Sequence, residues 1–499
     1  MFDWLKKTKD KIKKLNEGVT EYTKDTVIQS LPSLAYVNKA KKLIELNKLD
    51  EAENELKKAL ELPQEDALAY KYLGLLYEKQ MKFKLAVEMY QKSAELNEED
   101  KNIWQKLGFA LITTKEFERA DKAFDNANKI TPMNTDTFTG WGMSLMKMKN
   151  YEMARVKFIE ASKYNRYNFS AIFLAAVCEV NLGLLDDAEI KLKFLTGVAP
   201  TESNNYEYAN LRFLKNNYED AILYATKAIE LNPKILPAYL LLGKIYSIRF
   251  EKDKALKYYK TAEDNDLIND NLYLEWGKAL IRFSNYAEAK WYLLKSYDLN
   301  LNNVEALENL VLVNALLSDL KDIPVLIEKL EKIKPSSIIL KQARGIISYV
   351  NNECENSLSL LKETVETVDN NFISYFYMAK CSEKLGNDTK TKEYFDSAIL
   401  KNPSYTIAYI DYAKYLIQKE KYADAQRKLR KVNKFESDNV DVLNLLFHVS
   451  YILVKENVCE YNIKETIAIA NKITNPNLFN YKDELDELIK ISKCERDKN

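Results

Sequence analysis

The stretch Lys101–Asn134, KNIWQKLGFALITTKEFERADKAFDNANKITPMN, is the unit that the rest of the chain repeats. Units of 34 residues, one of them shortened to 33, follow one another from Ser33 to Asn439 without an insertion. Their first residues are 33, 67, 101, 135, 169, 202, 236, 270, 304, 338, 372 and 406. A period that is kept over 407 of 499 residues predicts an elongated repeat array rather than several globular domains.

Two columns of this frame hold small side chains, although neither was used to set it. The eighth position is Gly or Ala in every unit except at Val311, and the twentieth is Ala in nine of the twelve units. Six of the chain's eleven glycines stand in the eighth column, in the middle of a predicted helix. Because Gly costs about 1 kcal/mol relative to Ala inside a helix, we expect close contact between helices at this column.

The residues of Lys101–Asn134 resemble those of the tetratricopeptide repeat. The spacing W-x2-L-G-x2-Y, then A-x3-F, then P, is matched by Trp104, Leu107, Gly108, Leu111, Ala120, Phe124, Ala127 and Pro132. This resemblance implies an all-α fold, an α-solenoid in which antiparallel helix pairs form a right-handed superhelix. We count about twelve clear repeats and one divergent repeat, which bury their apolar faces only by stacking on their neighbours.

The frame also predicts how the chain is divided. Regular repeats one to eight occupy 33–303, weaker repeats nine and ten occupy 304–371, and repeats eleven and twelve occupy 372–439. Bulky Val311 and Ile323 replace small residues in the weaker part, so we expect a change of curvature or a flexible joint over 304–371. We predict that 440–499 holds the divergent repeat and a C-terminal cap helix.

Residues 1–32 lie outside the frame and have the pattern of a basic amphipathic helix. Between Met1 and Leu15 there are six lysines and only two aspartates. One interpretation is a cap over the first repeat, which a solenoid end needs and which we favour. The other is a helix that lies on an anionic membrane or binds a partner. The residues that would make those contacts are Phe2, Trp4, Lys6, Lys7, Lys13 and Lys14.

The composition of the chain bears on which partners it can bind and on the cellular compartment in which we expect it. Lys and Arg together number 74, as do Asp and Glu, so no overall positive field favours nucleic acid as a partner. The five cysteines lack metal-ligand spacing, and we interpret them as free thiols in a reducing compartment. Neither a signal peptide nor an apolar run of about 18 residues is present. We therefore expect a cytoplasmic protein, or a membrane-peripheral one if residues 1–32 bind a bilayer.

The sequence offers little for catalysis. His448, the single histidine, stands between Phe447 and Val449 on an apolar helix, where a structural role is favoured over that of a base. Glycine-rich phosphate loops, zinc motifs and nucleophile elbows are absent from the sequence. The prediction is a protein that is not an enzyme, without catalytic residues, metal, cofactor or small-molecule substrate.

The resemblance implies that partners bind in a concave groove lined by the first helix of each repeat, with the ninth position prominent. That column is apolar in repeats two to five and becomes lysine in repeats seven, eight, eleven and twelve. The apolar candidates at the ninth and twelfth positions are Leu75, Phe109, Ile112, Met143, Met146, Val177 and Val180. The basic candidates are Lys244, Lys278, Lys380 and Lys414. The apolar set either binds a partner or completes the core, and both interpretations stay open.

We therefore expect a non-enzymatic scaffold that binds a peptide or helix of a partner protein. Two alternatives are a membrane-peripheral adaptor and a regulatory subunit of an enzyme complex. The clamp with which some family members hold chaperone tails needs Lys and Asn at paired fifth and ninth positions. Here those pairs are Val37 with Lys41, Lys71 with Leu75 and Gln105 with Phe109, so binding of chaperone tails is not predicted.

Overall fold

The computed structural model describes residues 33–63, 66–319, 321–368, 371–434, 436–456, 460–473 and 481–496. Within these residues the chain forms 27 helices and no strand, and none of the helices is both long enough and apolar enough to cross a bilayer. The chain divides into two compact units, 1–231 and 232–499. The predicted contacts of Phe2, Trp4, Lys6, Lys7, Lys13 and Lys14 lie outside the described residues, so both interpretations of 1–32 stay predictions.

The first unit contains six repeats, each a pair of antiparallel helices. Each of the second helices α4, α6, α8 and α10 packs between the first helix of its own repeat and that of the next. The helices are α1 (33–45), α2 (Leu49–Leu60), α3 (Ala67–Lys79), α4 (Phe83–Leu96), α5 (Lys101–Thr113), α6 (Phe117–Ile130), α7 (Thr135–Lys147), α8 (Tyr151–Tyr164), α9 (Phe169–Asn181), α10 (Leu185–Val198), α11 (Glu202–Leu214) and α12 (Tyr218–Leu231).

The second unit continues with the same kind of helix pair. Residues 304–371, where the sequence predicts irregular repeats, lie inside this unit. Its helices are α13 (Leu236–Ile248), α14 (Lys252–Asp264), α15 (Asp270–Arg282), α16 (Tyr286–Leu299), α17 (Val304–Leu316), α18 (Ile323–Ile333), α19 (Ile338–Val350), α20 (Cys354–Thr367), α21 (Phe372–Lys384), α22 (Asp388–Lys401), α23 (Thr406–Gln418), α24 (Tyr422–Asn433), α25 (Val440–Glu456), α26 (Glu460–Ala470) and α27 (Tyr481–Arg496).

The first helices from α3 to α23 begin at the first residue of the predicted units. The reason is the N-cap, because the residue before most of these starts is an Asp, Asn, Ser or Thr whose side chain accepts a backbone N–H of the first turn. Asp100 caps α5 by accepting from the N–H of Asn102, and Asn134 caps α7 by accepting from that of Thr137. The short polar side chain at the end of each unit therefore fixes the register of the next.

The glycines of the eighth column lie where two helices touch, as the sequence predicts. A Cβ atom at any of the six would come within 2.7 Å of the side chain sixteen residues later, on the second helix of the same repeat. At such a distance the two carbon atoms would overlap, so a side chain at the glycine would force the neighbouring side chain to move. The pairs are Gly74 with Tyr90, Gly108 with Phe124, Gly142 with Phe158, Gly243 with Tyr259, Gly277 with Leu293 and Gly345 with Leu361.

The turn inside each repeat has a feature that the sequence did not predict. The fifteenth residue of all twelve units has a positive φ, in the left-handed region that favours glycine. Only Gly183 and Gly386 are glycines among them. The others are Asn47, Met81, Lys115, Lys149, Asn216, Phe250, Ser284, Ser318, Asn352 and Glu420. The reversal between the paired helices therefore depends on the packing of the helices and not on a glycine signal.

Two glycines of the fifth repeat separate backbone strain from packing. Gly183 has a φ of +75° with nothing within 4 Å of an added Cβ, and Gly197 lies inside α10 with the same open space. We expect Gly183→Ala to lower the free energy of unfolding by about 1 kcal/mol. Gly197→Ala should raise it by up to about 1 kcal/mol through helix propensity. Urea unfolding followed by circular dichroism measures both, and a loss of stability in Gly197→Ala would contradict this account.

The ninth repeat packs differently from its neighbours. Its second helix, α18, has 11 residues, with Pro324 in the first turn. Within the described residues α18 packs against α17 without extensive contact with α19, whereas α17 packs directly against α19. As a result, every residue of α17 from Ala306 to Leu316 is buried, on all faces of the helix. The change of curvature or joint expected over 304–371 stays a prediction.

The single histidine lies on α25 and contacts α27, where it is only partly buried. His448 Nδ1 on α25 lies 3.2 Å from Glu484 Oε1 on α27, and Leu488 of α27 is fully buried. Burial raises the pKa of Glu484, and the neighbouring His448 opposes this effect. The histidine therefore has a partner within the chain, as expected for a structural role.

Candidate protein-binding surface

Seven apolar side chains on the first helices α3, α5, α7 and α9 form what we call the first-unit stripe. Its members are Leu75, Phe109, Ile112, Met143, Met146, Val177 and Val180. Phe109 is 37% exposed, and the other six are half-buried. Neighbouring first helices also contact each other, α5 with α7 and α9 with α11. The stripe is thus neither a closed core nor a set of free side chains, but a partly open apolar surface.

Phe109 is held in place by a second ring and by a glycine of the next repeat. Its ring meets that of Phe124 edge to face, with 5.2 Å between the centroids. A Cβ at Gly140 would lie 2.8 Å from Cζ of Phe109 and 2.6 Å from the ring of Phe124. The absence of a side chain at position 140 therefore leaves room for the Phe109 ring beside α7.

Four other members of the first-unit stripe rest on the core. Ile112, Met143 and Met146 pack against a cluster of buried side chains that includes Phe124 and Phe158. Val180 packs against a second cluster around Leu192. These four side chains therefore contribute to the core and are still partly exposed, so for them the two interpretations of the stripe are compatible. Flexible Met side chains suit a surface that adapts to its partner.

Polar side chains beside the stripe are used within the chain. Lys71, Gln105 and Thr139 stand at the fifth position of α3, α5 and α7, and each reaches the N-cap residue of the next first helix. Lys71 Nζ lies 2.6 Å from Asp100 Oδ2, and Gln105 Nε2 donates to Asn134 Oδ1 at 2.9 Å. Asn168 Nδ2 donates to Thr139 Oγ1 at 3.3 Å. These bonds join successive repeats beside the stripe. The polar side chains are therefore occupied within the chain, and the surface left for a partner is formed by the apolar side chains.

The structure places Lys278, one of the predicted lysines of the second unit, beside two carboxylates of the same chain. Lys278 Nζ lies 2.6 Å from Glu275 and 2.7 Å from Glu305. Desolvation lowers the pKa of Lys278, but the two carboxylates outweigh this effect and raise it.

The remaining lysines are less uniform. Lys380 lies 3.0 Å from Asp411 and 3.3 Å from Glu383, whereas Lys414 is 55% exposed and 4.0 Å from Asp411. Lys244 lines a cavity of about 70 Å³ with Lys278. Among the predicted lysines that the structure shows in ion pairs, Lys414 is therefore the most accessible.

The first helices of repeats nine and ten present no comparable open stripe. Leu312 and Ile346, which hold the ninth position there, are 5% and 0% exposed. Residues 119 or more positions apart meet in this unit, since the hydroxyls of Tyr286 and Tyr405 lie 3.2 Å apart and Asn402 Nδ2 donates to the Arg282 carbonyl at 3.2 Å. We call these two contacts the second-unit closure. They show that repeats eight and eleven of this unit approach each other.

A buried carboxylate lies behind the first-unit stripe. Glu179, adjacent to Val180, is fully buried and accepts hydrogen bonds from Arg155 Nε at 2.8 Å and from Lys191 Nζ at 2.8 Å. The hydrogen bond to Glu179 raises the pKa of Arg155, and burial works against it. Two cations thus neutralise one enclosed carboxylate between α8, α9 and α10, which fits a structural ion pair.

The described residues hold no group of three or more His, Cys, Asp and Glu side chains arranged to bind a metal ion. Cys178, Cys354 and Cys381 are buried free thiols, and burial raises the pKa of Cys178 to about 12. Such a thiol is poorly nucleophilic near neutral pH. Cys459 and the side chain of Cys494 lie outside what the structure describes.

Sequence reasoning missed two residues of this surface. Gly140 is outside the eighth column, and the signal for it was a second glycine two residues before Gly142. Phe173 of α9 stands four and seven residues before Val177 and Val180, which places it on the same helix face. It is half-buried against the core cluster around Leu192, and its apolar character at the fifth position extends the stripe.

Comparison with known proteins agrees with the repeat architecture. Family models described as tetratricopeptide repeat match residues 37–101, 203–235 and 236–267. A TPR repeat-containing protein of Methanocaldococcus jannaschii is 23% identical over 227 residues, which are 41% of this chain and 40% of that protein. The matched part thus spans less than half of that relative.

A solved structure of similar length shows the same kind of fold. A chain of the APC/C hetero-tetramer Cut9–Hcn1 is 13% identical, with a TM-score of 0.50 over 90% of this chain and 95% of that one. YrrB, described as a TPR protein with an unusual peptide-binding site, is 25% identical over 37% of this chain and 95% of its own, with a TM-score of 0.33. The 34-residue frame, the capped helix pairs and the matched repeats lead to one conclusion: this chain contains tetratricopeptide repeats and folds as an α-solenoid of that type.

Proposed function

We propose that this protein is a non-enzymatic scaffold that binds an apolar helix or extended segment of a partner protein across the first-unit stripe. Tetratricopeptide repeats in general support protein–protein interaction, and repeat scaffolds of this kind are generally non-enzymatic. The observation that carries the specific proposal is the partial exposure of seven apolar side chains at the ninth and twelfth positions of four successive first helices. Exposed apolar surface of this kind often marks an interaction site.

The chemistry of the stripe favours an apolar anchor on the partner. Lys71, Gln105 and Thr139 are committed to the N-caps of the next repeats, so recognition relies on burying Phe109 and its neighbours. The contacts within the stripe also hold Phe109 before the partner arrives. A surface that is already ordered loses less entropy on binding, which favours capture of a flexible segment. Peptide recognition by an apolar groove typically uses anchors spaced along one helix face.

We expect a Phe109→Glu, Met143→Glu double variant to lose the partners that the full-length protein captures from its native lysate. For each captured partner, the dissociation constant should rise by about 10- to 100-fold, since a buried apolar side chain contributes about 1.5–3 kcal/mol. The matched control is Ile190→Glu, Phe194→Glu on α10, where both side chains are exposed, at 72% and 47%. Titration calorimetry with purified partners measures the affinities, and circular dichroism confirms that both variants are folded.

The control decides how the capture is interpreted. Retention of partners by the α10 control and loss by the stripe variant support the proposal. Retention by both variants would place binding elsewhere, with Lys244, Lys278, Lys380 and Lys414 next to be tested. Equal loss in both variants would show that added acidic charge, rather than the stripe, is responsible. The membrane-peripheral role of residues 1–32 and the role as a regulatory subunit stay predictions.

A further inference from the structure

A second cavity, unrelated to the first-unit stripe, lies among α22, α23 and α24 in the second unit. Its volume is about 370 Å³. Four basic side chains line it against two carboxylates, so its walls carry an excess of positive charge. The polar and charged lining residues are Lys392, Asp396, Tyr409, Tyr412, Asp424, Arg427, Lys428 and Lys431.

Two of these lysines have no carboxylate partner. Arg427 pairs with Asp424, and Lys428 Nζ lies 2.6 Å from Asp396 Oδ1. In contrast, Lys392 and Lys431 form no ion pair with any described residue. The nearby ammonium of Lys421 lowers the pKa of Lys392, and Lys431 lies over the ring of Tyr409, 5.5 Å from its centroid. Both carboxylates of the cavity are therefore paired with a cation, whereas two of its lysines are not in an ion pair with a described residue.

Tyr409 supplies an unsatisfied donor at the same place. It is fully buried, and its hydroxyl has no hydrogen-bond partner among the described residues. An enclosed hydroxyl without a partner costs about 1–3 kcal/mol, so native structures rarely leave one unexplained. Tyr409 is also one of the residues that line the cavity.

The repeat frame shows why this hydroxyl is unpaired. Tyr409 is the fourth residue of its unit, and the equivalent Tyr273 donates to Glu263 Oε1 at 3.0 Å. Glu263 is the twenty-eighth residue of the preceding unit, and the equivalent residue before Tyr409 is Ile399, which also lines the cavity. An apolar side chain has thus replaced the acceptor, and unpaired lysines lie around the position. Tyr239, in the same column, has its partner in Asn265 at 3.1 Å.

We propose that this cavity binds a phosphate dianion, held by Lys392 and Lys431, and that a shift of the side chains around Tyr409 opens its enclosed hydroxyl to the ligand. A dianion suits two free ammonium groups, and its several oxygens can accept from the ammonium and hydroxyl donors together. The cavity is large enough for the phosphate to be part of a larger molecule, such as a phosphomonoester. This site is independent of the proposed partner binding by the first-unit stripe.

Titration calorimetry of the full-length protein at constant ionic strength tests the proposal with inorganic phosphate, phosphoserine and acetate. We expect saturable binding of both phosphates at about millimolar concentration or below, and none of acetate in that range. Tyr409→Phe should weaken phosphate binding about fivefold through the loss of one hydrogen bond. Lys431→Gln should weaken it about tenfold through the loss of a charge-assisted contact. Tighter binding of phosphoserine than of inorganic phosphate would indicate that the natural ligand is an ester.

A matched variant makes the test specific. Tyr273→Phe removes the equivalent hydroxyl from a position that already has an internal partner, and it should leave phosphate binding unchanged. In phosphate-free buffer, Tyr409→Phe should melt at the same temperature as the wild type or higher, because it removes an unsatisfied buried group. Absence of saturable phosphate binding, equal effects of Tyr409→Phe and Tyr273→Phe, or equal binding of acetate would each overturn the proposal.

Discussion

Phe124→Ala is expected to lower the free energy of unfolding of the first unit by about 3–5 kcal/mol, the usual cost of removing a fully buried phenylalanine. The ring of Phe124 is 0% exposed and lies between Gly108 and Gly140, which belong to two successive repeats. Because neither glycine has a side chain, nothing at these positions can move in to fill the cavity. The substitution also removes the ring that supports Phe109.

Hydrogen exchange measured by mass spectrometry is suited to this variant, because a repeat array loses stability locally. We expect faster exchange in α5, α6 and α7 and little change in the helices of the second unit. Phe194→Ala is the control, since that side chain is 47% exposed and should cost less than about 1 kcal/mol. Equal destabilisation by the two substitutions would show that the site between the glycines is not special. Phe124→Ala should also weaken partner binding if the first-unit stripe is the binding surface.

The second large effect is expected at Glu179. Glu179→Ala should cost about 3–5 kcal/mol, because removal of one member of a buried ion pair leaves its partners uncompensated. Arg155 and Lys191 are 29% and 27% exposed, so they would keep part of their hydration but lose their shared acceptor. Urea unfolding at neutral pH gives the difference, and hydrogen exchange should localise it to α8, α9 and α10.

Asp187 is the matched control for that substitution. The same guanidinium donates through Nη2 to Asp187 Oδ2 at 3.1 Å, and Asp187 is 52% exposed. An exposed ion pair contributes about 0–1 kcal/mol, so Asp187→Ala should have a small effect. Adding Arg155→Met and Lys191→Met to a Glu179→Met variant should recover much of the loss, because apolar side chains of similar volume can replace a buried ionic group. A loss at Asp187 as large as that at Glu179 would contradict this interpretation.

The repeat frame and the starts of the first helices were predictable from the sequence because their causes are local. An N-cap such as Asp100 or Asn134 acts within one helix turn, and a glycine such as Gly108 records the contact that its own repeat makes. Periodicity adds these weak local signals over twelve units. The all-helical solenoid therefore followed from spacing and resemblance, and the structure confirms it.

Other features depend on partners that are distant in sequence or on backbone geometry that many residues adopt. The left-handed turn residue is Phe250 in one repeat and Lys149 in another, so its residue type does not predict the positive φ. The exposure of Phe109 depends on Gly140 in the next repeat. The ion pair of Lys380 with Asp411 joins two repeats, so the residue types at the ninth position alone do not show that this lysine has a carboxylate partner. The missing hydrogen-bond acceptor of Tyr409 is recognised by its contrast with the equivalent Tyr273, which donates to Glu263.

The second-unit closure has a consequence for how that unit folds. In an array whose repeats touch only their neighbours, folding needs short loops alone, and the ends fray independently. Tyr286 and Tyr405 are 119 residues apart, so their contact closes a long loop. The chain loses the conformational entropy of that loop before the contact contributes any stability. The second unit is thus expected to gain its last contacts slowly and to lose them together, whereas the first can unravel one repeat at a time.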